Sequence, residues 1–188
     1  MVSKDELKDK LEALEEGTAV ALKVDVDAYF EVITTITDEL IRGKDMNVIY
    51  TTTTIPATSI IGVLDALEIP RDRVHFVDAM SYMTMGGSGR SSDVTYVESP
   101  TMLENIMLKI EYLLRKHPAK THTVVLDSIN SLAIHNDMKI LAEFLHIMVS
   151  NLRSYNCFTL IMAVAEQQAE DVDNVLAMVC DEFMAVTS

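Results

Sequence analysis

Two rhythms of apolar residues alternate along this chain. Short, nearly unbroken apolar runs are separated by longer stretches in which apolar positions recur every three or four residues. The runs at 19–24, 47–53, 74–79, 123–127 and 158–165 predict strands, and 182–186 predicts one more at a sheet edge. The periodic stretches predict helices. Leu7, Leu11 and Leu14 share one helical face behind the capping-box pair Ser3 and Glu6, and Gly17 ends that helix. Asp25-Val26-Asp27 leads into a helix with Tyr29, Ile33, Ile36 and Leu40 inward, Asp27 being the expected N-cap. Pro56 suits the first turn of a helix carrying Ile60, Ile61, Leu64 and Leu67. Ser99-Pro100 is expected to cap a helix with Leu103, Ile106, Met107, Ile110 and Leu114 inward. Ile140, Leu141, Phe144, Leu145, Met148 and Leu152 define the next, and Val172, Val175, Leu176 and Val179 a short last one.

Strands that are apolar throughout and alternate with helices predict an α/β fold, a three-layer sandwich around a mostly parallel sheet with right-handed crossovers. Residues 1–17 form an N-terminal amphipathic helix and residues 18–188 one domain in this reading. Ligands of such sheets bind beyond the carboxyl ends of the strands. Those ends carry Asp25, Thr53, Asp78, Asp127 and Gln167. The stretch 83–93 breaks the rhythm with Gly86, Gly87, Gly89 and several serines, which suits a surface loop, or a lid in which Arg90 reaches an anion.

Composition narrows the function classes. Hydrophobic residues make up 49% and charged residues 23% of the 188, as in an ordinary globular chain. A formal net charge of −14, with no basic run longer than Arg115-Lys116, speaks against a nucleic-acid partner. No apolar run approaches the ~18 residues that span a bilayer, so no membrane partner is expected. The charged start Ser3-Lys4-Asp5-Glu6 leads to the expectation of a cytoplasmic protein without a signal peptide. Cys157 and Cys180 are too few for a disulfide framework or a zinc site and read as buried thiols.

Three stretches carry a family resemblance. Thr123-Val124-Val125-Leu126-Asp127-Ser128-Ile129-Asn130-Ser131-Leu132 resembles the Walker B strand and following segment of the KaiC/RadA-like branch of the RecA superfamily. Phe158-Thr159-Leu160-Ile161-Met162-Ala163-Val164, with Gln167 beyond it, is similar to the next core strand of that branch. Asp181-Glu182-Phe183-Met184-Ala185-Val186 looks like its late edge strand. With the strand spacing, the resemblance covers nearly everything after residue 17 and implies a RecA-like domain whose relatives pack edge to edge.

The departures from that pattern are chemical. A phosphate loop needs G-x-x-x-x-G-K-[S/T], because glycines let successive N–H groups close around phosphates while the lysine neutralises them. None of the six glycines stands in such a motif. Leu22-Lys23-Val24-Asp25-Val26-Asp27-Ala28-Tyr29 occupies its place, with two carboxylates where phosphate would bind. The resemblance also implies adjacent glutamates after the second strand to activate water. Thr51-Thr52-Thr53-Thr54 stands there and supplies no base.

Other chemistries fit less well. Asp25-Val26-Asp27 satisfies the D-x-D pattern of magnesium-dependent phosphatases of the haloacid-dehalogenase type, with Thr53 as a second motif, but no late acidic pair completes it. His75, His117, His122, His135 and His146 show no zinc-hydrolase spacing, and neither Ser128 nor Ser131 lies in G-x-S-x-G. The expected function is therefore a non-catalytic RecA-like module without a cofactor, acting on protein partners or as a homo-oligomer. The alternatives are a module that holds a nucleotide or small anion without hydrolysis, and the phosphatase. The candidate degenerate site comprises Asp25, Asp27, Thr53, Thr54, Asp127, Ser128 and Gln167.

Overall fold

The computed structural model describes residues 4–82, 91–165 and 170–186. Its centre is a seven-stranded sheet formed by β1 (Ala19–Val24), β2 (Asn47–Thr52), β3 (Val74–Asp78), β4 (Val94–Tyr96), β5 (His122–Asp127), β6 (Phe158–Val164) and β7 (Glu182–Val186). The order across the sheet is β4-β3-β2-β5-β6-β1-β7, and every neighbouring pair is parallel. The expected mostly parallel sheet is thus wholly parallel, and it contains one strand more than periodicity predicts. That strand, β4, has three residues on the sheet edge, too few for an alternating pattern to register.

Seven α-helices flank the sheet among the described residues: α1 (Lys4–Ala13), α2 (Tyr29–Asp38), α3 (Ala57–Ala66), α4 (Leu103–Lys116), α5 (Ile129–His135), α6 (Met138–Ser154) and α7 (Glu170–Val179). On one face α1, α2 and α3 cover Val20, Leu22, Tyr50, Phe76, Val125 and Leu160. On the other, α4 to α7 cover Ala21, Ile49, Val77, Val124, Leu126 and Ile161. Alternate residues of each strand therefore serve opposite cores, which is why the strands read as continuous apolar runs. Leu7, Leu11 and Leu14 are buried in the first core, so α1 packs at home. Gly17, at φ +82°, turns the chain from α1 into β1, a backbone angle that glycine adopts without a Cβ clash.

Three predicted helix starts move. Asp27 is not the cap of α2: it lies exposed in a 3-10 turn, Val26–Ala28, and Ala28 stands at the N-cap. Pro56 is the N-cap of α3 with an extended ψ of 137°, one residue before the first turn. Ser99-Pro100 belongs to a separate turn, closed by the Met102 N–H donating to the Ser99 carbonyl at 3.0 Å, and α4 begins at Leu103. In addition, the segment after β5 is split into α5 and α6, with the Asp137 carboxylate accepting from the N–H groups of Lys139 and Ile140 at the break.

Candidate functional site

The chain leaves β2 through α3 toward β3 and leaves β5 through α5 and α6 toward β6, and these two exits lie on opposite faces of the sheet. The carboxyl ends of β2 and β5 therefore flank a topological switch point, where open α/β sheets bind their ligands. The sequence candidates Thr53, Thr54, Asp127 and Ser128 all meet there.

They meet by bonding to one another. The Thr53 N–H donates to the Asp127 carbonyl at 2.6 Å. The Thr53 hydroxyl donates toward the carbonyls of Asp127 and Ser128 at 3.1 and 3.0 Å, and accepts from the Ser128 N–H at 3.0 Å. The Ser131 hydroxyl donates to the Thr53 carbonyl, and Thr54 Oγ1 donates to Ser128 Oγ at 3.2 Å. The peptide bond joining Asp127 to Ser128 is cis. Thr53, Asp127 and Ser128 are buried, so the crevice between the two strand ends is stapled shut by its own hydroxyl and backbone groups.

Asp127 points to the α2 face, where two tyrosines close over it. Tyr29, the first residue of α2, donates its hydroxyl to Asp127 Oδ2 at 2.5 Å. Tyr50, in the middle of β2, donates to the same oxygen at 2.7 Å. Oδ1 accepts no hydrogen bond among the described residues. Burial pushes the Asp127 carboxyl up to about 6, while the hydroxyls of Tyr29, Tyr50 and Thr54 oppose that shift by favouring the charged form. Both tyrosines move in the complementary direction, well above the ordinary phenol value, chiefly because they are buried and secondly because a carboxylate faces them. Sequence reasoning placed Tyr29 on the inward face of its helix and Tyr50 only within the strand 47–53, and assigned neither a role. The available signal was the phenol itself, since a buried Tyr O–H needs an acceptor.

The neighbouring helix end is occupied as well. Asp78, fully buried at the end of β3, accepts from the Ala57 N–H at the start of α3 at 2.8 Å. It also accepts from the N–H groups of Met80 and Ser81 and from the Ser81 hydroxyl, at 2.8, 2.7 and 2.5 Å. A helix N-terminus attracts anions, and here an internal carboxylate already sits on it.

The remaining candidates do not join this cluster. Asp25 and Asp27 follow β1, which β6 separates from β5, and neither makes a capping hydrogen bond. Gln167 and the loop residues 83–90, with Arg90, lie outside the described residues. From the part of that loop within them, the Ser91 N–H donates to the Tyr96 hydroxyl at 3.0 Å. A magnesium ion at Asp127 does not fit this arrangement. One oxygen is shared by two phenols, the carboxyl has no exposed surface, and among the described residues no cluster of three metal-binding side chains exists.

Residues 6–187 match the family described as Family of unknown function (DUF7090). The chain belongs to that family. A search of curated proteins returns no match. Among solved structures, the chain is similar to the KaiC-like protein PH0186 of the hyperthermophilic archaeon Pyrococcus horikoshii OT3, with a TM-score of 0.61 and 14% identity over 90% of this chain and 71% of that one. It is also similar to the flagellar accessory protein FlaH of Methanocaldococcus jannaschii, with a TM-score of 0.60 and 11% identity over 94% of this chain and 75% of that one. At such identities the likeness establishes the fold, which is RecA-like as the sequence resemblance implies. Among the described residues no helix is long and apolar enough to cross a membrane.

Proposed function

We propose that this member of the DUF7090 family is a non-catalytic RecA-like module that works through protein contacts, as a regulatory or interaction subunit, and that it is a degenerate relative without a phosphate loop. One observation carries the reading. Tyr29, supplied by the segment after β1 where a phosphate loop would stand, places its hydroxyl on the Asp127 carboxylate. Asp127 is the residue that the resemblance would assign to magnesium. A hydrogen bond within the protein thus takes the position that metal and triphosphate would bridge in a hydrolysing relative. The threonines after β2 add no base, since Thr53 bonds to backbone and Thr54 to Ser128. Asp25 and Asp27 stand apart from Thr53, which also leaves the phosphatase reading without its second motif.

Calorimetric titration with Mg-ATP and Mg-ADP tests the proposal. The expected result is no saturable heat at about millimolar nucleotide, a range where even weak specific binding registers. ATP turnover that Asp127→Asn abolishes would overturn it. Saturable binding without turnover would replace it with the nucleotide-binding module.

A further inference from the structure

On the face of the sheet opposite the Tyr29–Asp127 contact, α4 and α6 leave an open groove of about 470 Å³ between them. Its walls carry Leu108 on α4 and Ile140 and Ile147 on α6, each more than half exposed at 57, 57 and 56%. Its floor includes Met107 and Phe144, both part of the core beneath. These exposed side chains stand on the two helices that flank one opening, so they border a shared apolar surface. The groove continues sideways: on the far side of Glu143, α6 and α7 enclose a second apolar hollow of about 290 Å³, with Met178 at its rim.

The charge around the groove selects what can lie in it. Its only ionisable lining groups are Glu104 and Glu143, both exposed and neither in an ion pair among the described residues. Among the described residues no Lys, Arg or His lines it, and His146 lines the adjoining hollow. A second copy of this chain, carrying the same −14 charge, would bring carboxylates to carboxylates. Ile140 and Ile147 are seven residues apart on α6, so they stand about 10 Å apart along its axis on one wall of the groove.

We infer that the α4–α6 groove is a docking site for an amphipathic helix of a partner protein, one that carries Lys or Arg on both sides of its apolar stripe so that they reach Glu104 and Glu143. This rests on the interaction-module reading above and names its partner class. The Asp127 end plays no part in it.

The test uses two synthetic helical peptides with the same Leu stripe at i, i+3, i+4 and i+7, one flanked by Lys and one by Glu. Each is titrated into the full chain by calorimetry, with amide chemical shifts followed by NMR. The Lys-flanked peptide should bind saturably, one per chain, with shift changes concentrated on α4 and α6. The Glu-flanked peptide should not bind. Glu104→Lys/Glu143→Lys should weaken binding at least about tenfold, and Leu108→Ser should weaken it as well. Glu16→Lys/Glu68→Lys alters the net charge by the same amount at exposed positions elsewhere and should leave binding nearly unchanged. Circular dichroism of each variant establishes that it is folded. No saturable binding at about 1 mM peptide, or equal losses in both double variants, would overturn the inference. So would shift changes that map elsewhere, or self-association of the chain through this face. ATP turnover would refute the functional proposal without touching this result, and a failed titration would refute the groove without reviving catalysis.

Discussion

The strand-end crevice and the α4–α6 groove are opposites in how their chemistry meets water. The crevice is polar and closed: Thr53, Asp127 and Ser128 are buried, and their groups bond to one another. The groove is apolar and open, with Leu108, Ile140 and Ile147 more than half exposed beside two unpaired glutamates. A buried polar network lowers free energy only when its members find partners within the protein, so its residues become structural. An exposed apolar surface lowers no free energy until something covers it. In this molecule the residues with catalytic-looking chemistry hold the fold together, and the bland ones face outward.

If that contrast is right, substitutions at the crevice should cost stability, and Asp78 should cost most. Asp78→Ala leaves the N–H groups of Ala57, Met80 and Ser81 without their acceptor in a buried setting. An unsatisfied buried donor costs about 1–3 kcal/mol, so a loss of roughly 4 kcal/mol is expected, read as a fall in Tm of ~10 °C. A shift within the noise of the measurement would mean that this end of the sheet is not the rigid seal described above.

Asp127 gives the second test through pH. Burial raises its carboxyl from 3.8 to about 6 in the fold, so the folded chain holds a proton over a range where the unfolded chain has lost it. Stability from this group is present below pH ~4 and declines as pH rises through 6, by about 3 kcal/mol in all. His75 runs the other way. Burial, helped by His117, His122 and Lys116, lowers its imidazole from 6.5 to about 4, so its contribution is present above pH 6.5 and is lost on acidification. The stacked ring of His117, 3.7 Å away, is lowered as well, again chiefly by burial. The wild-type profile mixes these opposing slopes, but the difference between Asp127→Asn and wild type cancels the histidines. That difference should swing by roughly 2 kcal/mol in favour of the variant between pH 4 and pH 7. A flat difference would mean that the Asp127 carboxyl is not under strain from burial.

Tyr50→Phe should act with a smaller amplitude. It removes one of the two donors on Asp127 Oδ2, costing about 2 kcal/mol at pH 7 and less at pH 5, where the carboxyl is protonated. Tyr29→Phe should behave alike; no loss in either would assign these rings to packing alone, and a pH-independent loss would separate the hydroxyls from the Asp127 charge.

How much of this was legible in the chain depends on whether a feature is local. Periodicity placed β1, β2, β3, β5 and β6, because strands buried on both faces need apolar residues at nearly every position, and it placed β7 as a half-exposed edge strand. It missed β4, whose three residues pair only with β3, and it missed α5, since the residues that marked the helix after β5 all lie in α6. Of the residues grouped as a candidate site, the structure brings Thr53, Thr54 and Ser128 together with Asp127 at the end of β5. What was not legible was the role of Asp127. That role depends on Tyr29, 98 positions away along the chain, and Tyr50, 77 positions away, and nothing local to any of the three announces the meeting. The groove was invisible for a different reason. Periodicity left Leu108 and Ile147 off the inward faces but grouped Ile140 with the apolar set of its helix, and only the packed helices show all three bordering one opening.

The smallest expected effect is the sharpest test of the contrast. Leu108→Ser and Ile147→Ser remove apolar side chains comparable in size to those of the core, yet each should change stability by no more than about 0.5 kcal/mol, since both are already in water in the folded chain. The same truncation of a buried neighbour such as Leu145→Ser should cost several times more, because it removes contacts and buries a hydroxyl. Chemical denaturation of the three variants side by side measures this. If Leu108→Ser is as costly as Leu145→Ser, the groove belongs to the core and has no reason to bind anything. If it is nearly silent in stability, Leu108 has no part in holding the fold, as the docking inference requires.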